Sequence, residues 1–153
     1  MNKTEIISRL TEDMEKNPRF KGRVWSQDYV RVWMAGEIAL GEFTGVMPSF
    51  ESKIYGDGGE DSHITIDGKR YTINVKTSKK PYNLVAEPNR NKADIYCLAR
   101  YFPETDRAML LGWQWAKIIY RGPLRKLTDN GVYLHVLPMC ELRDMQILRN
   151  KMK

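Results

Sequence analysis

His63-Ile64-Thr65-Ile66-Asp67-Gly68-Lys69-Arg70-Tyr71-Thr72-Ile73-Asn74-Val75-Lys76-Thr77-Ser78 is the stretch on which the fold turns. Two runs of alternating character flank Asp67-Gly68, a pair suited to a tight turn whose central residues take positive φ, so the stretch predicts a β-hairpin. Side chains alternate across a strand. Tyr71, Ile73, Val75 and Thr77 therefore share one face of the second strand, and Thr72, Asn74, Lys76 and Ser78 share the other. Just upstream lies Gly56-Asp57-Gly58-Gly59-Glu60-Asp61, a glycine-rich turn that carries three acids.

On the N-terminal side the pattern is helical. Ile6, Ile7, Leu10 and Met14 recur at helical spacing after Thr4, which predicts a helix over residues 4 to 16, ended by Asn17-Pro18. Ser26 can cap a second helix from 27 to about 42, with an apolar stripe of Val30, Trp33, Met34, Ile38 and Gly41. Glu37 falls inside that stripe. An acid on the core side of a helix is costly unless it is paired or binds a cation. A bond from Glu37 to a backbone group or an arginine is the plainer alternative.

On the C-terminal side the pattern is mostly strand. A short strand is expected near 52–55, before the glycine-rich turn. Residues 93–99 and 108–113 are nearly continuous in apolar character and are expected to be central strands covered on both faces. A short helix at 114–120, a strand at 132–137 after Asp129-Asn130-Gly131, and a terminal helix at about 140–152 complete the chain. The whole is expected to be one domain, residues 1–153, of α/β (α+β) class with a single central mixed sheet flanked by helices.

With 153 residues, 42% hydrophobic and 10% aromatic, the chain is long and apolar enough to bury a core and is not of disordered composition. The formal charge of +6 favours polyanionic partners without bearing on fold. Cys97 and Cys140 lack CxxC spacing and read as reduced thiols of a cytosolic protein. No apolar run is long enough for a membrane span, and the polar N-terminus does not resemble a secretory signal.

Phosphodiester hydrolysis needs an activated water, stabilisation of charge on phosphorus and help for the leaving group. Mg²⁺ or Mn²⁺ can serve all three, and such hard cations take oxygen ligands. A nearby lysine can orient the water and offset phosphate charge. Glu37 on a helix, Asp61 before a hairpin and Asn74-Val75-Lys76 on its second strand resemble the PD-(D/E)xK nuclease superfamily. Gly56 to Asp61 leading into Val75-Lys76-Thr77-Ser78 is similar to a small phage and bacterial branch of it. The resemblance spans residues 30 to 115. It implies a mixed sheet flanked by helices and a Mg²⁺- or Mn²⁺-dependent deoxyribonuclease, an endonuclease or exonuclease. It implies that Asp61 is the first metal-binding acid, Lys76 the catalytic lysine, Glu37 the helical acid near the metal-bound water, and the Val75 carbonyl a backbone ligand. Lys79, Lys80, Arg90 and Lys92 would line a phosphate track. DNA is the implied partner, RNA is a further option, and a homodimer and a cytoplasmic location in a bacterial or phage-infected cell are compatible.

Asn74 departs from the family pattern, which has Asp or Glu there. Its amide oxygen can touch a metal but brings no charge, so divalent binding and activity are expected to be reduced or lost. Three explanations are open: an Asp→Asn change made to trap an inactive state, a natural member that binds nucleic acid without cleaving it, or an active variant in which Asp57, Glu60 or Glu37 supplies the charge. His63 is a minor candidate for a general base. Two rivals to a nuclease remain: a non-catalytic nucleic-acid-binding protein on the same fold, and a phage protein-interaction or inhibitor module with a basic surface. Trp113 and Trp115 read first as packing residues.

Overall fold

A computed structural model describes residues 2–16, 26–48, 50, 62–87, 93–126 and 133–152. The expected strand near 52–55 and the glycine-rich turn lie outside them. Helix α1 (Lys3–Lys16) buries Ile7, Leu10 and Met14 against Val30 and Met34 of helix α2 (Gln27–Thr44). The Ser26 side chain accepts the Tyr29 N–H at 3.0 Å and so caps α2, as its sequence position predicts. Gly45 ends the helix at φ +81°, a conformation a Cβ would strain, and its N–H reaches the Gly41 carbonyl at 2.8 Å.

Strands β1 (Ser62–Ile66) and β2 (Lys69–Ser78) form the expected hairpin. Asp67 and Gly68 sit at φ +50° and +79°, the tight-turn geometry that Asp-Gly favours. Strand β4 (Ile95–Phe102) runs parallel to β2, from Ile73 opposite Ile95 to Ser78 opposite Arg100, and strand β5 (Arg107–Trp115) returns antiparallel to it. The order β1-β2-β4-β5 makes a mixed sheet. Between β2 and β4 lies β3 (Asn83–Ala86), which joins β7 (Tyr133–Pro138) and β6 (Leu124–Lys126) in a small antiparallel sheet of order β3-β7-β6. Helix α3 (Ala116–Arg121), a 3₁₀ turn (Met139–Glu141) and helix α4 (Met145–Lys151) complete the described elements.

The α+β class holds, with corrections of detail. The strand at 133–138 belongs to the second sheet and not to the central one. Strand β4 is central and almost wholly buried, but β5 is an edge strand among the described residues, and its first half alternates exposed and half-buried residues, Met109 at 52%. Arg143 pairs with Trp113 and covers the inner half of that edge, so an apolar run there does not require a second strand neighbour. The terminal helix begins only at Met145, where the Asp144 carboxylate accepts the Gln146 N–H at 2.7 Å. Trp113 is buried in the core and meets Trp115 edge-on at 5.5 Å, a packing role for both.

The mixed sheet has a core on each face. Ile73, Val75, Ile95, Cys97 and Ala99 pack with Leu40 of α2, Trp113 and Leu148 of α4. Tyr96 and Leu98 face Leu84, Ala86 and Leu137 of the small sheet and Ala116 and Ile119 of α3. Among the described residues no helix is long and apolar enough to cross a membrane.

The β4–β5 turn is tied back to both N-terminal helices by Asp106. Its carboxylate accepts from Lys3 Nζ at 2.7 Å, from Arg31 Nη1 at 3.0 Å and from the Tyr101 hydroxyl. Burial alone would raise the Asp106 carboxyl, but the bonds from Lys3 and Tyr101 and the charges of Lys3 and Arg31 outweigh it and hold it below its usual range. Burial and the Asp106 carboxylate push the Tyr101 phenol up to about 12.

Candidate functional site

The candidate site is built on the second half of β2. Strand alternation and the parallel register set Asn74 beside Tyr96 and Lys76 beside Leu98, on the face toward α3 and the small sheet. Lys76 Nζ lies 5.9 Å from the centroid of the Tyr96 ring, which fixes its side chain to that face. Ile73, Val75 and Thr77 point the other way, toward α2.

Helix α2 comes very close to that second face. A Cβ on Gly36 would lie 1.7 Å from Thr77 Oγ1 and 2.8 Å from Thr77 Cβ, so only glycine permits this approach. Further along, Leu40 joins the core with Ile73 and Val75, and Thr44 Oγ1 meets Ser62 Oγ at 2.7 Å. The helix thus runs along β2 from Thr77 toward the start of β1. Glu37, one residue after Gly36, is 2% exposed. Its Oε2 and the Oδ1 of Asn74 are both shut off from solvent.

Strand β1 pairs with β2 only as far as Ser62 opposite Ile73. Among the described residues, 74–78 of β2 are paired with β4. Asn74 and Lys76 share one face, and Glu37 is carried against the same strand from the other. Val75 buries its side chain in the α2-facing core and sits opposite Cys97 in the parallel ladder.

Asp57, Glu60, Asp61, Arg90 and Lys92 lie outside the described residues. Asp61 immediately precedes Ser62 in the chain. His63 stands opposite Thr72, and its Nδ1 is 3.3 Å from Arg70 Nη2. Lys79 is engaged by Asp28 at 2.8 Å, which ties the end of β2 to the first turn of α2, whereas Lys80 is exposed.

Among the described residues no three His, Cys, Asp or Glu side chains form a group that could hold a metal. The donors that are described fit a hard cation in kind, since Glu37 offers carboxylate oxygen and Asn74 amide oxygen. They fit less well in charge, because Asn74 is neutral and Glu37 is the one acid of the pair. Tyr96 and the Gly36–Thr77 contact escaped the sequence reading. Tyr96 sits in an apolar strand with no motif around it, and Gly36 looks like any helical glycine until the strand beneath it is known. No protein-family model, curated protein or solved structure matches this chain.

Proposed function

We propose that this chain is a divalent-metal-dependent nuclease of PD-(D/E)xK type acting on DNA, with its activity weakened or abolished by Asn74. The observation that carries the proposal is Glu37: a carboxylate 2% exposed, on a helix brought against the strand that bears Lys76 by a contact only glycine allows. A buried carboxylate beside that strand is an oxygen ligand of the kind a hard cation takes.

In this proposal Glu37, Asp61, position 74 and the Val75 carbonyl would hold Mg²⁺ or Mn²⁺. When bound, the ion supplies a Lewis acid that polarises the phosphoryl oxygen and acidifies water. Lys76 orients the attacking water and offsets charge on the phosphate. Lys80, exposed at the end of β2, contacts the DNA backbone, while Lys79 does so only by giving up Asp28. We further propose a homodimer that addresses two strands, in the cytoplasm of a bacterial or phage-infected cell. Cys97 and Cys140, both free thiols, support a reducing compartment.

The test is cleavage of supercoiled plasmid with Mn²⁺ by the Asn74→Asp chain. Expected is metal-dependent nicking that is lost on adding Lys76→Ala or Asp61→Ala. Absence of nicking by the Asn74→Asp chain sinks the proposal. The neutral amide at Asn74 favours a second reading, a nucleic-acid-binding protein without catalysis. That reading gains if both chains fail to cleave yet retain DNA with steep salt dependence.

A further inference from the structure

A lysine that acts on a reacting water has to be held in place. Its flexible four-carbon stem samples many rotamers, and misplacement of a reacting group is expensive in rate. Lys76 is half-buried, and Tyr96 is the aromatic surface against which its ammonium rests, 5.9 Å from the ring centroid. That separation is within the roughly 6 Å reach of cation–π attraction.

The Tyr96 ring is itself fixed. It is 4% exposed, and its hydroxyl lies 3.3 Å from that of Tyr120. Tyr120 donates its own proton to the Glu87 carbonyl at 3.0 Å. A phenol has a single proton to give. With the Tyr120 proton spent on the Glu87 carbonyl, Tyr96 is the donor in the pair. The Tyr120 ring is braced edge-on against His135 at 4.9 Å, and His135 Nδ1 is 3.1 Å from the Gly122 carbonyl. The bracing therefore passes from α3 and the small sheet to the ring under Lys76.

We propose that Tyr96 is a positioning residue for Lys76, its ring face held by the Tyr96–Tyr120–Glu87 hydroxyl relay. The catalytic consequence rests on the nuclease proposal; the contact does not. Two measurements separate them. In the first, the lysines of the unaltered chain are dimethylated with carbon-13, which preserves their charge, and the Lys76 signal is identified by its loss in Lys76→Arg. The expected signal is displaced by the ring current of Tyr96 and returns to the ordinary lysine position in Tyr96→Leu. A Lys76 signal that is not displaced, or not moved by Tyr96→Leu, overturns the proposal whatever the activity. In the second, kcat and KM are measured in the Asn74→Asp chain. Tyr96→Leu is expected to lower kcat about tenfold with KM nearly unchanged, the size of one well-placed cation–π contact. Tyr96→Phe and Tyr120→Phe keep the packing and cut the relay, and are expected to lower kcat about threefold, a fraction of that same contact. An unchanged kcat in a folded Tyr96→Leu chain overturns the positioning role. If the Asn74→Asp chain does not cleave at all, the nuclease proposal falls and takes that role with it.

Discussion

The two faces of β2 differ in what they tolerate. On the α2 face Ile73, Val75 and Thr77 meet a helix at contact distance, with Gly36 leaving no room for one added carbon. On the other face Asn74 and Lys76 lie beside Tyr96, whose hydroxyl is hydrogen-bonded to that of Tyr120. A close-packed surface punishes volume changes, because interiors are dense and relax little. A polar and aromatic surface punishes loss of a donor or a charge. The same strand thus serves as scaffold on one side and as candidate chemistry on the other, and substitutions on its two faces should separate stability from function.

The sharpest break is Gly36→Ala. Despite the better helix propensity of alanine, the clash with Thr77 should cost about 3 kcal/mol, read as a lowered midpoint in urea. Adding Thr77→Ala removes the Oγ1 contact but leaves the 2.8 Å contact with Cβ, so only part of the loss should return. Full stability in Gly36→Ala would show that α2 does not sit as close as described.

Glu37→Gln comes next and tests whether the buried acid belongs to scaffold or to chemistry. If it serves the site, the change should leave stability within about 1 kcal/mol or raise it, since functional acids are commonly kept at a cost to stability. In the Asn74→Asp chain it should also weaken Mn²⁺ binding at least tenfold, as loss of a ligand charge would. A loss of several kcal/mol with Mn²⁺ binding unchanged would assign Glu37 to the scaffold.

Asp106 offers a control outside the candidate site, because its partners Lys3, Arg31 and Tyr101 are none of the residues in it. Tyr101→Phe removes a hydrogen bond to a charged group and should cost about 1.5 kcal/mol, with no effect on metal binding. The signs of the pH dependence follow from the two shifts. The Asp106 carboxyl is lower in the folded protein, so its contribution is present above the usual carboxylate pKa and fades as pH falls through the folded value. The Tyr101 phenol is raised to about 12, so its contribution is present below 10 and is lost as pH climbs from 10 to about 12. Urea midpoints across pH should show the alkaline limb in the unaltered chain and lose it in Tyr101→Phe.

The smallest expected effect is Lys79→Ala. Its ion pair with Asp28 is solvent-exposed, so stability should change by about 0.5 kcal/mol or less. Lys80→Ala should leave stability alone and, if the DNA proposal holds, lower the salt slope of binding by about 1. Equal effects of the two lysines on DNA retention would show that the Asp28 pair does not withhold Lys79.

Much of the frame was legible because it depends on local rules. Ser26 caps α2, Asp67-Gly68 makes the hairpin, and Glu37 falls in a helical apolar stripe; neighbouring residues suffice for each. The second sheet was not legible. Strand β3 has four residues, and its partner β7 lies some fifty positions later, so no local period announces the pairing. Nor does an apolar run tell an edge strand from a central one, because Arg143 and the helices can cover what a strand neighbour would.

The sequence by itself determined which residues share a face of β2, since alternation is a property of the extended chain. Tertiary structure decided which face meets α2, how near Glu37 is brought to the strand, and what lies under Lys76. Those outcomes depend on Gly36 against Thr77, and on Tyr96 and Tyr120, residues from separate elements that meet only when helix, strand and second sheet close on one another.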